Sequence, residues 1–155
     1  MTAKPRSRRR RFAVRASPIH GKGVFALRSI RKGERLVEYK GERVSHAVAD
    51  RRHGTRDGAD VHTMLFAVDS KVVVDATRNG NSARWINHSC APNCRAETER
   101  GRVYIDALRD IGRGEELTYD YCLYRDERHT RTLKAAYPCF CGARRCRGTL
   151  LGKKR

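Results

Sequence analysis

The sequence predicts a mainly β protein, and three features of the chain support this fold class. Short runs rich in Val, Ile, Phe and Tyr, such as residues 64–68 and 102–107, have the length and composition of strands. Glycine-containing turns separate many of these runs. Helix signals are confined to short stretches. Many short strands, one or two brief helices and frequent turns together favour a mainly β fold.

The expected elements follow one another from residue 12 to residue 121. The first strand is predicted at Phe12 to Arg15, and the second follows the loop that holds Gly21 and Gly23. Further strands are predicted at Leu36 to Tyr39, Met64 to Val68, Val72 to Asp75, Arg102 to Ala107 and Leu117 to Tyr121. Ser45 predicts a helix that runs to about His53, because a serine hydroxyl can accept a hydrogen bond from an N–H of the first turn. Residues 82–85 predict one further helical turn, and residues 54–60 a mobile loop.

Two segments of the sequence resemble each other. Residues 30–36 and residues 111–117 both begin with Ile, continue through a basic residue and a Gly-Glu pair, and end with Leu. Each copy predicts a turn followed by a strand. Two copies are too few for a repeat architecture, so we interpret them as one type of turn used twice.

Charge is distributed unevenly along the 155 residues, which carry a net charge of +18. Residues 1–33 hold eleven Lys and Arg and no acid, and residues 128–155 hold nine and no acid. The two ends therefore carry +20 and the body −2. This distribution predicts a folded body beside a polyanion, with non-specific DNA contact through the basic ends. Solvated, disordered ends are the alternative interpretation.

The class of protein is narrowed by what the chain lacks. No apolar run approaches the roughly 18 residues that span a membrane, and residues 1–11, a basic arm, have no apolar signal-peptide core. One soluble, intracellular domain without a membrane partner is therefore expected.

The cysteines predict a metal site. Cys139, Cys141 and Cys146 supply three thiols within eight residues, one fewer than a tetrahedral zinc site needs. Because no secretory signal is present, metal binding is favoured over disulfides. Either Cys90 or Cys94 could supply the fourth thiolate.

Residues 84–94 form the most unusual segment of the chain. After the apolar Trp85–Ile86 pair they contain two amides, an imidazole, a hydroxyl and two thiols. An ordinary loop with buried thiols and a chance N-glycosylation motif at residues 87–89 are the alternatives. Because buried polar groups need partners, we interpret the segment as a junction between a cofactor and a metal.

The chain resembles the SET-domain protein lysine methyltransferases from about Phe12 to Leu151. Five blocks carry the resemblance in the order that the family has them. They are His20 to Phe25, Val74 to Arg84 without residues 78–79, Trp85 to Cys94, Glu116 to Tyr121, and the post-SET pattern from Cys139 to Gly148.

The resemblance implies a SET-domain, β-clip-like fold, in which small curved sheets surround a knot-like core. Short helices and a C-terminal post-SET zinc module complete it. The implied organisation is a basic disordered arm (1–11), the SET domain (12–123), a charged linker (124–138), the zinc module (139–151) and a basic tail (152–155).

The resemblance also implies the site residues. One structural zinc ion would bind Cys90, Cys139, Cys141 and Cys146, which leaves Cys94 free, and we expect Cys94 and Cys122 to be plain buried thiols. Tyr121 would be the catalytic phenol, and Tyr119 would limit the number of methyl groups added to one or two. S-adenosylmethionine, the methyl donor, would contact His20, Lys22, Gly23, Val24, Met64, Asn87, His88, Tyr121 and Leu150. Met64 departs from the pattern, since many members have a tyrosine there.

The function that follows is S-adenosylmethionine-dependent methylation of a lysine on a histone or a similar basic chromosomal protein. The substrate would bind as an extended peptide, and the protein would be associated with chromatin or a nucleoid, or with a host nucleus if it is a bacterial effector. A non-catalytic, zinc-stabilised nucleic-acid-binding module is one alternative. A lysine methyltransferase with a non-chromatin target is another.

Overall fold

The computed structural model describes residues 10–54, 64–125 and 127–153, and the mainly β class is confirmed. The predicted arm and loop, residues 1–11 and 54–60, lie largely outside the described residues. Neither helix in the described ranges has the length and apolarity needed to cross a membrane.

The strands are β1 (Phe12–Ala16), β2 (Lys22–Ala26), β3 (Arg35–Glu38), β4 (Glu42–Val44), β5 (Leu65–Ala67), β6 (Val73–Asp75), β7 (Asn87–His88), β8 (Cys94–Glu99), β9 (Arg102–Ala107) and β10 (Glu116–Tyr119). The helices are α1 (His46–His53), α2 (Arg131–Ala136) and a 3-10 turn at Ser82–Trp85.

Three small sheets enclose one apolar core. Their strand orders are β1-β2-β10-β7, β3-β9-β8 and β4-β6-β5. Side chains from all three sheets, including Val24, Ile105 and Val74, are buried against one another. Most pairs are antiparallel, but β7 pairs with β10 in parallel, with Asn87 opposite Thr118. Through this short parallel pair, Asn87 and His88 lie beside β10, although the two strands are separated by two other strands in the sequence.

The two similar segments of the sequence pair with each other. Ile30 and Ile111 exchange backbone hydrogen bonds of 2.9 and 2.8 Å, and both side chains are buried. Gly33 in the earlier turn and Gly114 in the later turn have φ values of 84° and 88°. Glycine adopts this left-handed conformation without strain. The repeated motif therefore forms a local pseudo-twofold pair of turns that joins two sheets.

Some elements were not predicted from the sequence. β7 has only two residues, and β8 is polar and largely exposed after Cys94, so neither has the apolar alternation of a typical strand. β4 has three residues. Helix α2 lies inside the stretch expected to be a linker, where the Thr130 side chain accepts from the Leu133 N–H. Ser45 caps α1 as expected, by accepting from the Val48 N–H.

A buried carboxylate fixes helix α1 to the body. Asp75 is completely buried, and its oxygens lie 3.3 Å from Arg52 Nη1 and 3.0 Å from His53 Nε2. The Thr77 hydroxyl and N–H also donate to it. Burial alone would raise the pKa of Asp75, but the hydrogen bonds from Thr77, His53 and Arg52 outweigh burial and lower the pKa to about 2.

Replacing Asp75 by Asn should destabilise the fold, because Arg52 and His53 would lose the carboxylate that compensates their burial. We expect the free energy of unfolding to fall by about 2–4 kcal/mol at pH 7. Because the pKa is lowered, the native carboxylate stabilises the fold above about pH 4, and this contribution is lost as the pH falls through about 2. Urea unfolding from pH 7 to pH 2 should show the two proteins converging at the acid end.

The matched control is Asp50→Asn, because Asp50 lies on the same helix with an exposed side chain. Its effect should stay within about 0.5 kcal/mol. Equal effects of the two substitutions, or a difference that does not depend on pH, would contradict the role given to Asp75.

Candidate active site and metal centre

A cleft opens where β7, the chain after β10 and the C-terminal segment meet. It encloses about 300 Å³ of space, which includes space open to solvent. Its lining combines apolar and polar side chains from four parts of the sequence. The lining residues are Ile19, His20, Asn87, His88, Tyr121, Pro138, Cys139, Phe140 and Leu150.

Asn87 is held at one wall of the cleft by a network of hydrogen bonds. Its Nδ2 donates to the Lys22 carbonyl at 2.9 Å and to Glu116 Oε1 at 2.8 Å, and the same carboxylate accepts from the Ser17 hydroxyl. A Cβ at Gly23 would collide with Glu116 Oε1, so a larger residue there would displace the carboxylate that accepts from Asn87 and Ser17. The glycine loop and β10 can therefore approach each other closely enough to fix the Asn87 amide.

The His88 ring connects two parts of the site. Its Nδ1 lies 3.0 Å from the backbone nitrogen of Tyr121, and its Nε2 lies 3.3 Å from Cys90 Sγ. Burial lowers the pKa of His88 to about 4, so the ring is neutral at pH 7. Because Nδ1 must accept from the Tyr121 N–H, the single proton resides on Nε2 and is directed to the sulfur. Both ring nitrogens are thus engaged by protein.

Tyr121 lies at the end of the cleft with its ring edge-on to His88, at a centroid distance of 5.4 Å. Its hydroxyl donates to the Ile86 carbonyl at 2.5 Å. The Tyr119 ring lies 4.9 Å away, so the two tyrosines share one side as expected, although β10 ends at Tyr119. Burial raises the pKa of both phenols above the ordinary value, so both remain protonated at neutral pH.

Two further aromatic residues extend from Tyr119, and sequence reasoning did not place them in the site. Phe66 lies 6.4 Å from Tyr119, and Tyr39 lies 5.6 Å from Phe66, both measured between ring centroids. The four rings of Tyr39, Phe66, Tyr119 and Tyr121 form a continuous series that we call the aromatic row. Tyr39 follows β3, Phe66 lies in the middle of β5, and Tyr119 ends β10. No spacing within the sequence connects these three strands.

Four cysteines converge beside the cleft. The sulfurs of Cys90, Cys139, Cys141 and Cys146 all lie within 4.8 Å of one another. Cys90 Sγ is 3.7 Å from Cys139 Sγ and 3.9 Å from Cys146 Sγ. A tetrahedral site with zinc–sulfur bonds of about 2.3 Å has edges of about 3.8 Å, whereas a disulfide needs about 2.05 Å. The arrangement therefore fits a zinc ion and does not fit disulfides.

Backbone N–H groups point at the sulfurs, as thiolate ligands require. Cys141 Sγ lies 3.5 Å from the Cys90 and Ala143 nitrogens. Cys90 Sγ lies 3.4 Å from the Arg147 nitrogen. Burial opposes ionisation of Cys141, but these N–H groups and the neighbouring thiols lower its pKa to about 6. The cluster is thus suited to hold a cation.

The two remaining cysteines differ from each other. Cys94 is completely buried in the core, and burial raises its pKa to about 12. Cys122 was expected to be buried, but it is exposed. Its backbone has a φ of 46°, which turns the chain away from the core after Tyr121.

The C-terminal segment is attached to the body at two places besides the cysteines. Arg147 donates to both oxygens of Asp120, at 2.6 and 2.9 Å. Leu123 forms an isolated parallel bridge with Leu151, and the Leu151 side chain is buried. These contacts place Leu150, the last lining residue, over the cleft.

The structure brings together only some of the residues predicted to bind the cofactor. His20, Asn87, His88, Tyr121 and Leu150 line the cleft. Gly23 and Val24 are buried in β2, and the Lys22 amine lies over the Trp85 ring at 4.8 Å. Met64 packs against the core, and its carbonyl accepts from the Ala76 N–H, so it lies outside the lining of the cleft. Phe140 lines the cleft and was not predicted.

The fold and this site define a SET domain. The chain belongs to the SET-domain family, because the model of that family, described as SET domain, matches residues 21–122.

Several relatives of the chain are named as histone-lysine N-methyltransferases. The histone-lysine N-methyltransferase trithorax of Drosophila virilis is 41% identical over 136 residues, which are 84% of this chain and 3% of that protein. Human histone-lysine N-methyltransferase 2B is 43% identical over 138 residues, which are 86% of this chain and 5% of that protein. An H3 lysine-4 specific histone-lysine N-methyltransferase of Schizosaccharomyces pombe is 43% identical over 152 residues, which are 94% of this chain and 16% of that protein. The chain thus corresponds to a small part of the length of these relatives.

Replacing Cys90 by Ser should abolish tight zinc binding, because it removes the one ligand that comes from the middle of the chain. We expect about one zinc per native chain, and a variant that loses its zinc to a chelator at least about tenfold faster. Atomic emission of the purified protein measures the content, and a colorimetric zinc chelator follows the release.

Cys122→Ser provides the control, since Cys122 is exposed and outside the cluster. It should retain zinc like the native protein. Native zinc retention in Cys90→Ser, or a native protein without zinc, would show that this cluster is not the metal site.

Proposed function

We propose that this protein is an S-adenosylmethionine-dependent protein lysine N-methyltransferase. The observation that carries the proposal is the position of Tyr121, which lines the cleft on one side and ends the aromatic row on the other. A methyl donor in the cleft and an amine among the aromatic rings would therefore meet at this residue. The relatives named as histone-lysine N-methyltransferases support the same activity.

The lining of the cleft fits the methyl donor in chemical character. S-adenosylmethionine supplies a methyl group on a positively charged sulfonium, which a neutral amine can attack. Asn87 and the His88 backbone would hold its polar groups, because the His88 ring is already engaged by Tyr121 and Cys90. Phe140 and Leu150 would cover its apolar surface. His20 lines the cleft and would contact the donor there. Lys22, Gly23, Val24 and Met64 remain proposed contacts beyond its lining.

The aromatic row would prepare the lysine amine. A free lysine has a pKa of about 10.4, so its deprotonation at pH 7 requires about 4.6 kcal/mol. Desolvation among Tyr39, Phe66 and Tyr119 lowers this requirement by disfavouring the charged form. The phenols do not remove the proton, since their raised pKa keeps them protonated. Their role is to orient the amine, and their ring faces stabilise the methylated ammonium that forms.

The proposed substrate is a histone. Some relatives are named as specific for lysine 4 of histone H3, which makes that lysine the first to be examined. The target segment would bind as an extended peptide, and the protein would act at chromatin. Within this proposal, the SET domain spans residues 12–123, and the zinc module of residues 139–151 forms one wall of the cleft.

Replacing Tyr121 by Phe should reduce kcat by roughly 100-fold or more, because one oriented hydroxyl at the reacting centre is lost. The measurement is transfer of labelled methyl from S-adenosylmethionine to core histones, followed by mass spectrometry to locate the modified lysine. The native product should carry one or two methyl groups, since the Tyr119 hydroxyl limits the space beside the amine.

Tyr104→Phe is the matched control. Tyr104 lies on β9 under the Arg35 guanidinium, 4.1 Å from it, and is outside the aromatic row. Its substitution should leave kcat within about twofold. Native activity in Tyr121→Phe would remove this residue from the mechanism, and absence of methyl transfer by the native protein to any histone would overturn the proposed substrate.

A further inference from the structure

A second concave surface lies away from the cleft, where the end of β3 and strand β4 face the turn between β8 and β9. It is an open groove of about 950 Å³, again including space open to solvent. Its lining residues are Glu38, Tyr39, Lys40, Gly41, Arg43, Val74, Asn79, Arg100, Gly101 and Arg102. We call this surface the basic groove.

The basic groove concentrates positive charge in a body whose net charge is close to zero. Four cations line it, namely Lys40, Arg43, Arg100 and Arg102, and Glu38 is the one carboxylate among the lining residues. Glu38 lies 3.9 Å from Arg102. Within the described residues, no ion pair engages the other three cations.

Among the described residues, nearby carboxylates form no ion pair with these three cations. Asp69, whose pKa is lowered by the Lys71 and Val72 N–H groups and by the charge of Arg43, accepts from those two N–H groups. Two other carboxylates are bound by cations outside the groove. Glu42 accepts from Arg52 at 2.9 Å, and Glu99 accepts from Arg35 at 2.8 Å. The free cations therefore face solvent with their charge available for an anionic partner.

The backbone at the tip of the groove holds an arginine in an unfavourable conformation. β8 and β9 are joined by a two-residue turn, because Glu99 pairs with Arg102. Both turn residues, Arg100 and Gly101, have positive φ, at 50° and 75°. Asn or Gly is favoured at such a position, and another residue there costs about 1 kcal/mol. Retained strain of this kind is typical of residues with a role outside folding.

The two sides of the groove act as one surface. If Gly101 carried a Cβ, that atom would lie 3.5 Å from the Arg43 guanidinium. The cation on β4 is therefore adjacent to the β8–β9 turn that carries Arg100. The one aromatic residue in the lining, Tyr39, is buried. The groove thus offers charge to a phosphate backbone but no exposed ring for stacking bases, which favours a duplex over a single strand.

We propose that the basic groove binds the phosphate backbone of duplex DNA. This site is distinct from the basic ends of the chain, because every cation that lines it lies between residues 40 and 102. The choice of DNA over an RNA duplex rests on the proposed function, since histones package DNA. The charge and shape of the groove do not depend on methyl transfer.

The test is a salt titration of binding to a labelled 20-base-pair DNA, with the full chain and without cofactor or peptide. Fluorescence anisotropy measures Kd between about 50 and 300 mM salt. Each phosphate contact contributes about 0.9 to the slope of log K against log salt. The triple variant Lys40→Gln, Arg43→Gln and Arg100→Gln should therefore lose about 3 from the slope and bind tenfold or more weakly at 100 mM salt.

The matched control removes three positive charges elsewhere. Arg31→Gln, Lys71→Gln and Arg113→Gln alter exposed side chains that lie outside the basic groove. For this control variant, the slope of log K against log salt should differ from that of the native protein by less than 1. Equal slopes for the two triple variants would overturn the proposal. Thermal unfolding checks that both fold, and if the groove variant does not, the single variants Lys40→Gln and Arg43→Gln should each lower the slope by about 1.

Two further ligands identify the partner. Single-stranded DNA and an RNA duplex of the same length should lose less affinity than duplex DNA in the groove variant. A larger loss for either one would assign the groove to that ligand and contradict the proposal. The groove shares Tyr39 with the aromatic row but shares no residue with the cleft. Binding of S-adenosylmethionine by the groove variant should therefore equal that of the native protein, so loss of DNA binding with native cofactor binding separates this proposal from the proposed function.

Discussion

The neutral imidazole of His88 is the connection on which the site depends. It accepts from the Tyr121 amide on one side and faces the Cys90 sulfur on the other. A protonated ring could not accept from the amide, and burial keeps the ring neutral by lowering its pKa to about 4. One small strand, β7, therefore sets the position of the phenol, the wall of the cleft and the first metal ligand together.

The C-terminal segment has little apolar material with which to fold by itself. Leu150 and Leu151 are buried, but Phe140 is 60% exposed. Zinc binding to small modules is worth roughly 10–16 kcal/mol, far more than two leucines contribute at about 1.5–3 kcal/mol each. The Asp120–Arg147 ion pair is partly exposed and adds to the attachment without replacing the metal. On this account the metal completes the cleft, because Cys139 is both a thiol of the cluster and a lining residue.

Sequence reasoning succeeded where the signal is local. The Ser45 cap, the two similar turns at residues 30–36 and 111–117, and the C-terminal cysteine pattern each depend on residues a few positions apart. It failed where the structure depends on contacts between distant segments. β7 is a strand only because β10 lies beside it, and nothing near Tyr39 or Phe66 indicates that their rings approach Tyr119. The choice of Cys90 over Cys94 likewise came from family resemblance, and the fold separates the two by burying Cys94 in the core.

The measurement that tests the central claim most directly is calorimetric titration of S-adenosylmethionine into the protein before and after zinc is removed by a chelator. If the metal holds the C-terminal wall of the cleft in place, binding should disappear on removal of zinc and return when zinc is restored. An affinity that does not change when zinc is removed would contradict the connection between the metal centre and the cleft.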